Sequence, residues 1–185
     1  VLGTSGNFSA VVSWRPFRLL ITPSAVQKGT LTGGQFLTVD DRGGVVPPSR
    51  GRPSAETLLH LEIVKARSAA AVLHTHSVWG TILSDLHADK QGLAVQGYEM
   101  LKGLDGVASH DHREWVPIVE NDQDMVRLAR AVGGLLERDR GCHGFLLRGH
   151  GLYTWGGSLD DAERHVEILE FLLEAVGRRS QPWPL

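Results

Sequence analysis

Residues 69–76 constrain this chain more tightly than any other segment. Ala69-Ala70-Ala71-Val72-Leu73 is an apolar run that leads directly into His74-Thr75-His76. On a strand, residues i and i+2 project from one face, whereas on a helix they stand about 200° apart. A buried strand ending here therefore delivers two imidazoles side by side. Far downstream, Arg148-Gly149-His150-Gly151 follows a second apolar run, Phe145-Leu146-Leu147, and its glycines let the backbone approach closely. His150 is the candidate third ligand. Three protein ligands leave a coordination position for water or substrate, the arrangement of a catalytic rather than a structural zinc site. The expectation is one Zn2+ per chain on His74, His76 and His150. The competing reading of the His-x-His pair is two ordinary hydrogen-bonded histidines, and the third histidine weighs against it.

With 185 residues, 42% of them hydrophobic, the chain can bury one substantial core. A single domain over residues 1–177 is expected, followed by a tail over 178–185. A formal charge of -2 offers no concentrated basic face, so neither nucleic acid nor a membrane surface is an expected partner. Cys142 is the one cysteine, which excludes an intramolecular disulfide and a cysteine-based structural zinc site. A soluble protein of a reducing, cytoplasmic compartment fits that usage, since no apolar stretch approaches the ~18 residues of a bilayer span. Nor does the amino terminus carry a basic segment followed by an apolar signal core. Gly3-Thr4-Ser5-Gly6-Asn7 comes with no preceding element, and missing amino-terminal residues are expected.

Three strands, 8–14, 18–22 and 35–39, are rich in Val, Ile and aromatic residues and are expected to form a meander. The Gly-, Pro- and Arg-rich stretch 41–53 reads as a surface loop. Ser54 is the expected N-cap of a helix over 55–67, which puts Glu56 in its first turn. The histidine strand is followed by a helix over 78–86, a short strand at 93–95 and a helical turn at 99–102. Then come a strand at 115–119, a helix over 122–138 and two strands, 144–148 and 152–155, flanking His150. The closing helix, 158–176, starts on Ser158 and Asp161 and repeats Ala162, Val166, Leu169, Leu173 and Val176 on one face.

The other histidines, His60, His87, His110, His112, His143 and His165, show no ligand spacing; surface or capping roles are expected, with His110 and His112 open to lining a pocket. Three segments offer N–H groups and hydroxyls to an anion: Gly3 to Ser9, Thr22-Pro23-Ser24, and Pro53-Ser54 at a helix start. Taken singly each reads as a plain turn or cap, and their joint occurrence points to a phosphate, with Lys28 and Arg148 as charge partners. Two carboxylates compete for proton transfer, Glu56 and Glu99. Spacing does not choose between them; otherwise one is a favourable charge at a helix start and the other a surface glutamate.

Gly3-Thr4-Ser5-Gly6-Asn7, Ile21-Thr22-Pro23-Ser24, Pro53-Ser54-Ala55-Glu56, Val72-Leu73-His74-Thr75-His76-Ser77 and Gly149-His150-Gly151-Leu152, in this order, resemble the class II aldolase/adducin family. The resemblance spans nearly the whole chain. Within the family, residues 98–103, 116–121 and 150–156 are most similar to enzymes that dehydrate a ketose 1-phosphate. The resemblance implies an α/β fold, a three-layer α/β/α arrangement with a central, mainly antiparallel sheet. It also implies zinc on His74, His76 and His150, Glu99 as acid/base, and a homotetramer with active sites at subunit interfaces. Phosphate contacts would come from Ser5, Gly6, Asn7, Ser24 and Ser54. Glu56 matches the acid/base position of the family's aldolases, so a sugar-phosphate aldolase or epimerase is the alternative. A non-catalytic assembly module of the adducin kind is more distant, because such a module is expected to lose ligands. Ala25 stands where the family often has glycine, and a left-handed turn there would be strained by the Cβ.

Overall fold

The computed structural model describes residues 6–27 and 30–180. In chain order the elements are β1 (Asn7–Trp14), β2 (Phe17–Ile21), β3 (Leu37–Val39), α1 (Thr57–Arg67), β4 (Ala71–Thr75) and α2 (Val78–Leu86). They continue with β5 (Gly92–Val95), β6 (Glu114–Val119), α3 (Met125–Arg138), β7 (Gly144–Leu147), β8 (Gly151–Gly156) and α4 (Leu159–Ser180). All eight strands join one sheet in the order β3-β2-β1-β4-β8-β7-β6-β5. The β6–β7 pair is parallel and the others are antiparallel. The first three strands form the expected meander, and the α/β/α layering is also as expected.

The alternation of side chains along the central strands builds the layers. Phe145, Leu147, Tyr153 and Trp155 face α1 and α3, where they meet Leu59, Ile63, Leu128, Val132 and Leu136. Their neighbours Leu146 and Leu152 face the other way, onto Leu83 of α2 and Ile168, Leu169, Leu172 and Leu173 of α4. Strands β4, β7 and β8 are buried along their whole length because helices cover both faces. On β4, Val72 joins the α1 side whereas Ala71 and Leu73 pack with Ala162 of α4. By the same parity His74 and His76 point to the α1 side, and Thr75 points to α4, where its hydroxyl donates to Glu170 Oε1 at 2.5 Å.

Several expectations need correction. The proposed tail at 178–185 does not start at Arg178, because α4 continues to Ser180 with Arg178 bonded to Glu174 one turn back. Residues 181–185 lie outside the described residues. Ser54 does not cap α1 directly. It accepts the Glu56 N–H and its carbonyl accepts that of Thr57, forming a turn before the helix. Glu56 takes the N-cap position itself, with φ -89° and ψ 13°, and its side chain makes no cap hydrogen bond. It is thereby free to reach elsewhere. Helix α3 starts at Met125 rather than at residue 122, since Asp124 caps it by accepting from the Val126 and Arg127 N–H groups.

Candidate metal centre

The sheet register brings the two histidine segments together. His74 pairs with Tyr153 across β4 and β8, and Thr75 pairs with Leu152, so the turn that carries His150 lies beside the end of β4. Gly151 is required at that contact: a Cβ there would stand 2.2 Å from the Thr75 carbonyl oxygen and 3.0 Å from His76 Cδ2. Gly6, at φ +76°, packs against the His74 carbonyl in the same way, where a Cβ would come within 2.5 Å. Helix α2 fixes the His150 turn from its other side. Ser84 Oγ accepts the Gly149 N–H at 3.0 Å, and Thr81 Oγ1, which donates to the Ser77 carbonyl at 2.8 Å, also lies 3.3 Å from the His150 carbonyl.

The three imidazoles converge. Their ring centroids are 4.7 Å apart for His74 and His76, 4.9 Å for His74 and His150, and 4.5 Å for His76 and His150. One ligating nitrogen from each lies within 4.8 Å of the others. His74 Nδ1 is 2.9 Å from the Leu152 carbonyl and so carries its proton, which leaves the Nε2 lone pair aimed at His76 Nε2, 2.8 Å away. Stacking on Tyr153, with centroids 4.0 Å apart and planes 14° from parallel, holds the ring in place. Burial, reinforced by His150, pushes the pKa of His74 well below and that of His76 below the ordinary histidine value. Neutral imidazoles with free lone pairs are the donor set a borderline transition metal takes, and the fixed His74 tautomer is what ligation requires. His150 Nδ1 is buried without a hydrogen-bond partner among the described residues.

Of the two competing carboxylates, the chain brings Glu56 to the cluster. Its Oε1 lies 3.5 Å from His150 Nε2 and its Oε2 lies 3.7 Å from His74 Nε2. Glu99 lies elsewhere on the chain. It is 72% exposed, bonded to Lys102 at 2.9 Å and close to His110 at 3.3 Å, and the Lys102 hydrogen bond holds its carboxyl below the usual range. Its helical turn follows β5, three strands from β8, or about 14 Å of sheet at ~4.8 Å per strand.

The anion-binding segments converge in part. The Ser24 N–H donates to the Arg52 carbonyl and the Ser54 N–H to that of Thr22, so the Ser24 and Ser54 turns are neighbours. Gly6 and Asn7 adjoin His74, but Asn7 is only 4% exposed and both ends of its amide are engaged, with Glu56 and with His60. Ser5 and Lys28 lie outside the described residues. Arg148 pairs with Asp85 at 2.9 Å and Glu120 at 3.1 Å. Ala25 adopts the left-handed conformation, φ 58°.

Three of the histidines expected on the surface are structural. His60 is fully buried, and burial drops its pKa to about 3. His143 and His165, with His112, line a cavity of about 530 Å³ at the opposite ends of β4 and β8 from the metal centre. There Glu114, 1% exposed, accepts from His112 Nε2 at 2.8 Å and His143 Nδ1 at 3.0 Å. His112 lines a pocket as the sequence left open, whereas no local spacing marked the pairing of Glu114 with His143, which stand 29 positions apart. Tyr153 was equally unmarked: its hydroxyl is buried toward Glu56 without a hydrogen bond of good geometry, and burial raises its pKa well above the ordinary value.

A three-layer sheet with an open three-histidine centre at the end of its central strands defines a class, and the match to known sequences agrees. The chain belongs to the Class II Aldolase and Adducin N-terminal domain family, whose profile matches residues 1–176. Among individual proteins it is 45% identical over 172 residues to the methylthioribulose-1-phosphate dehydratase of Pseudomonas fluorescens, covering 92% of this chain and 81% of that one. Among solved structures it resembles YgbL of Escherichia coli, with a TM-score of 0.79 and 26% identity over 100% of this chain and 83% of that one. An L-fuculose 1-phosphate aldolase shares the fold, with a TM-score of 0.76 and 22% identity over 100% of this chain and 82% of that one.

Proposed function

We propose that this chain is a metal-dependent hydro-lyase that converts 5-methylthioribulose 1-phosphate into 2,3-diketo-5-methylthiopentyl 1-phosphate and water, a step of methionine salvage. The observation that carries the reading is the convergence of His74, His76 and His150 in a chain 45% identical to a dehydratase of that name. Zinc suits the donor set, which is all imidazole and has no thiolate beside it. When bound, the metal supplies a Lewis acid for the C2 carbonyl and C3 hydroxyl oxygens of the ketose.

The chain's own residues do the rest. A carboxylate takes the proton from C3 and protonates the hydroxyl leaving C4, so that water departs and a C3–C4 enol forms. A proton returns to C4 as the C3 hydroxyl becomes a carbonyl, which gives the 2,3-diketone without any redox partner. Glu99 is the proposed acid/base. Because it is exposed and remote from its own triad, its target is the triad of a neighbouring subunit in a homotetramer. Ser5, Gly6, Asn7, Ser24 and Ser54 are the proposed phosphate contacts, Asn7 through its backbone because its amide is engaged. A reducing, cytoplasmic setting suits the single buried Cys142, and among the described residues no helix is long and apolar enough to cross a membrane.

One observation favours a second reading: Glu56, not Glu99, faces the triad within the chain. A sugar-phosphate aldolase or epimerase would use it for proton transfer with the same metal. Incubating the zinc-loaded protein with 5-methylthioribulose 1-phosphate and a panel of ketose 1-phosphates tests both readings. The expected product has lost one water and absorbs as a diketone or its enol. Release of dihydroxyacetone phosphate would install the aldolase instead.

A further inference from the structure

Behind Glu56 lies a buried file of polar side chains with a single possible direction. Asn7 Nδ2 donates to Glu56 Oε2, because an amide nitrogen only donates. With its amide so oriented, Asn7 Oδ1 must accept, and it does so from His60 Nε2–H. The other ring nitrogen, Nδ1, is then the acceptor, and Ser9 Oγ–H donates to it at 2.7 Å. The file therefore runs Ser9, His60, Asn7, Glu56, with every hydrogen bond pointing toward the carboxylate. Linked hydrogen bonds of one sense polarise one another and strengthen the last of the series. Two elements supply it in matched pairs: Asn7 and Ser9 at i and i+2 on one face of β1, and Glu56 at the N-cap of α1 with His60 four residues on in its first turn. Ser9 is 3% exposed, Asn7 4% and His60 0%, so water cannot take over for a missing member. The file ends on a carboxylate 3.5 Å from His150 and 3.7 Å from His74.

We propose that His60, backed by Ser9, is a positioning residue of the metal centre: it locks the Asn7 amide, and the amide in turn fixes the Glu56 carboxylate against the three histidines. This rests on the reading of that cluster as a metal site. A fixed carboxylate beside three imidazoles favours a divalent cation, so disturbing His60 or Ser9, neither of which belongs to the triad, should weaken metal binding through Glu56. His60→Leu removes the N–H that Asn7 needs. His60→Gln puts an amide N–H near the position of Nε2 and should restore the contact. Ser9→Ala deletes one hydroxyl and leaves His60 Nδ1 without its donor.

Zinc affinity of the purified metal-free protein, measured by competition with a chromogenic chelator, decides the matter. His60→Leu should weaken zinc binding about 10-fold, at the lower end of what outer partners of a metal site contribute. Ser9→Ala should weaken it less, and His60→Gln should recover most of the loss. In a Glu56→Gln background the His60→Leu effect should shrink below about 2-fold, since the file no longer ends on a charge. Unchanged affinity in His60→Leu and Ser9→Ala, or an equal loss in both backgrounds, would overturn the inference while leaving the metal centre intact. If His60→Leu does not fold, Ser9→Ala in the two backgrounds carries the same decision. A wild-type protein that binds no zinc would remove the metal centre and this inference together.

Discussion

Each of the three histidines is held by a different part of the backbone, so each should matter separately. His74→Ala, His76→Ala and His150→Ala should each bring bound zinc, counted by elemental analysis, well below one per chain and abolish turnover. Full metal content in all three variants would remove the centre. Because burial keeps His74 and His76 neutral below the ordinary histidine pKa of 6.5, protons should displace zinc only at a lower pH than they would from exposed imidazoles. Metal release followed during acid titration would show it. For proton transfer, Glu99→Gln should retain zinc and lower kcat by roughly 10² to 10⁴, the usual contribution of a positioned general acid or base, and Glu56→Gln should lower it less. The reverse order, with carbon–carbon cleavage, would favour the aldolase. The triad was legible in the sequence because i and i+2 on a strand is a local relation. Glu56 was legible as a candidate but not as a neighbour of His74, since that contact depends on how α1 starts against β4. His60 carried no signal at all: its partners Ser9 and Asn7 lie 51 and 53 residues away.

At the scale of elements, Glu114 and His143 clasp β6 to the start of β7. His143 Nε2 also donates to the Asp105 carbonyl at 2.8 Å, which ties in the loop before β6. With both ring nitrogens donating, His143 is an imidazolium paired with a buried carboxylate. Burial opposes both charges, but the hydrogen bonds between them prevail, raising the pKa of His143 and lowering that of Glu114. The sign of the pH dependence follows. The histidine's contribution is complete below its unfolded pKa of 6.5 and is lost as pH rises through its raised folded value. The glutamate's is present above 4.5 and is lost as pH falls through its depressed one. His143→Asn removes the imidazolium partner of Glu114, leaving it the His112 ring and the backbone N–H of residue 143, and should cost about 3 kcal/mol near pH 6, the low end for breaking a buried pair. Urea denaturation of the metal-free proteins should show the gap between wild type and variant narrowing toward pH 9; a gap independent of pH would exclude the ion pair. Element identities were readable here because hydrophobic period and turn residues are local. The caps were less so: Ser54 holds a turn, and Glu56 at the N-cap directs its side chain to the metal centre instead of to the helix's own N–H groups.

At the scale of the whole molecule, the two carboxylates separate the readings by where they stand. Glu56 completes the triad of its own chain, whereas Glu99 sits exposed about three strands away. Exposed Val78, Ile82 and Leu86 form one stripe along α2, which begins two residues after His76, so an apolar surface adjoins the metal centre. A homotetramer whose interfaces cover such surfaces can present Glu99 of one subunit to the triad of the next. Light scattering should then report a tetramer, and two individually inactive variants should complement each other. In tetramers assembled from equal amounts of Glu99→Gln and His74→Ala subunits, about a quarter of the sites combine an intact triad with an intact Glu99 from the neighbour. Turnover should return to roughly that fraction of wild type. Where both residues act within one subunit, every site lacks one of them and mixing restores nothing. Silent mixed tetramers, their composition verified by mass spectrometry, would therefore return Glu99 to its own chain or remove it from the reaction, and a fully active monomer would remove the shared site altogether.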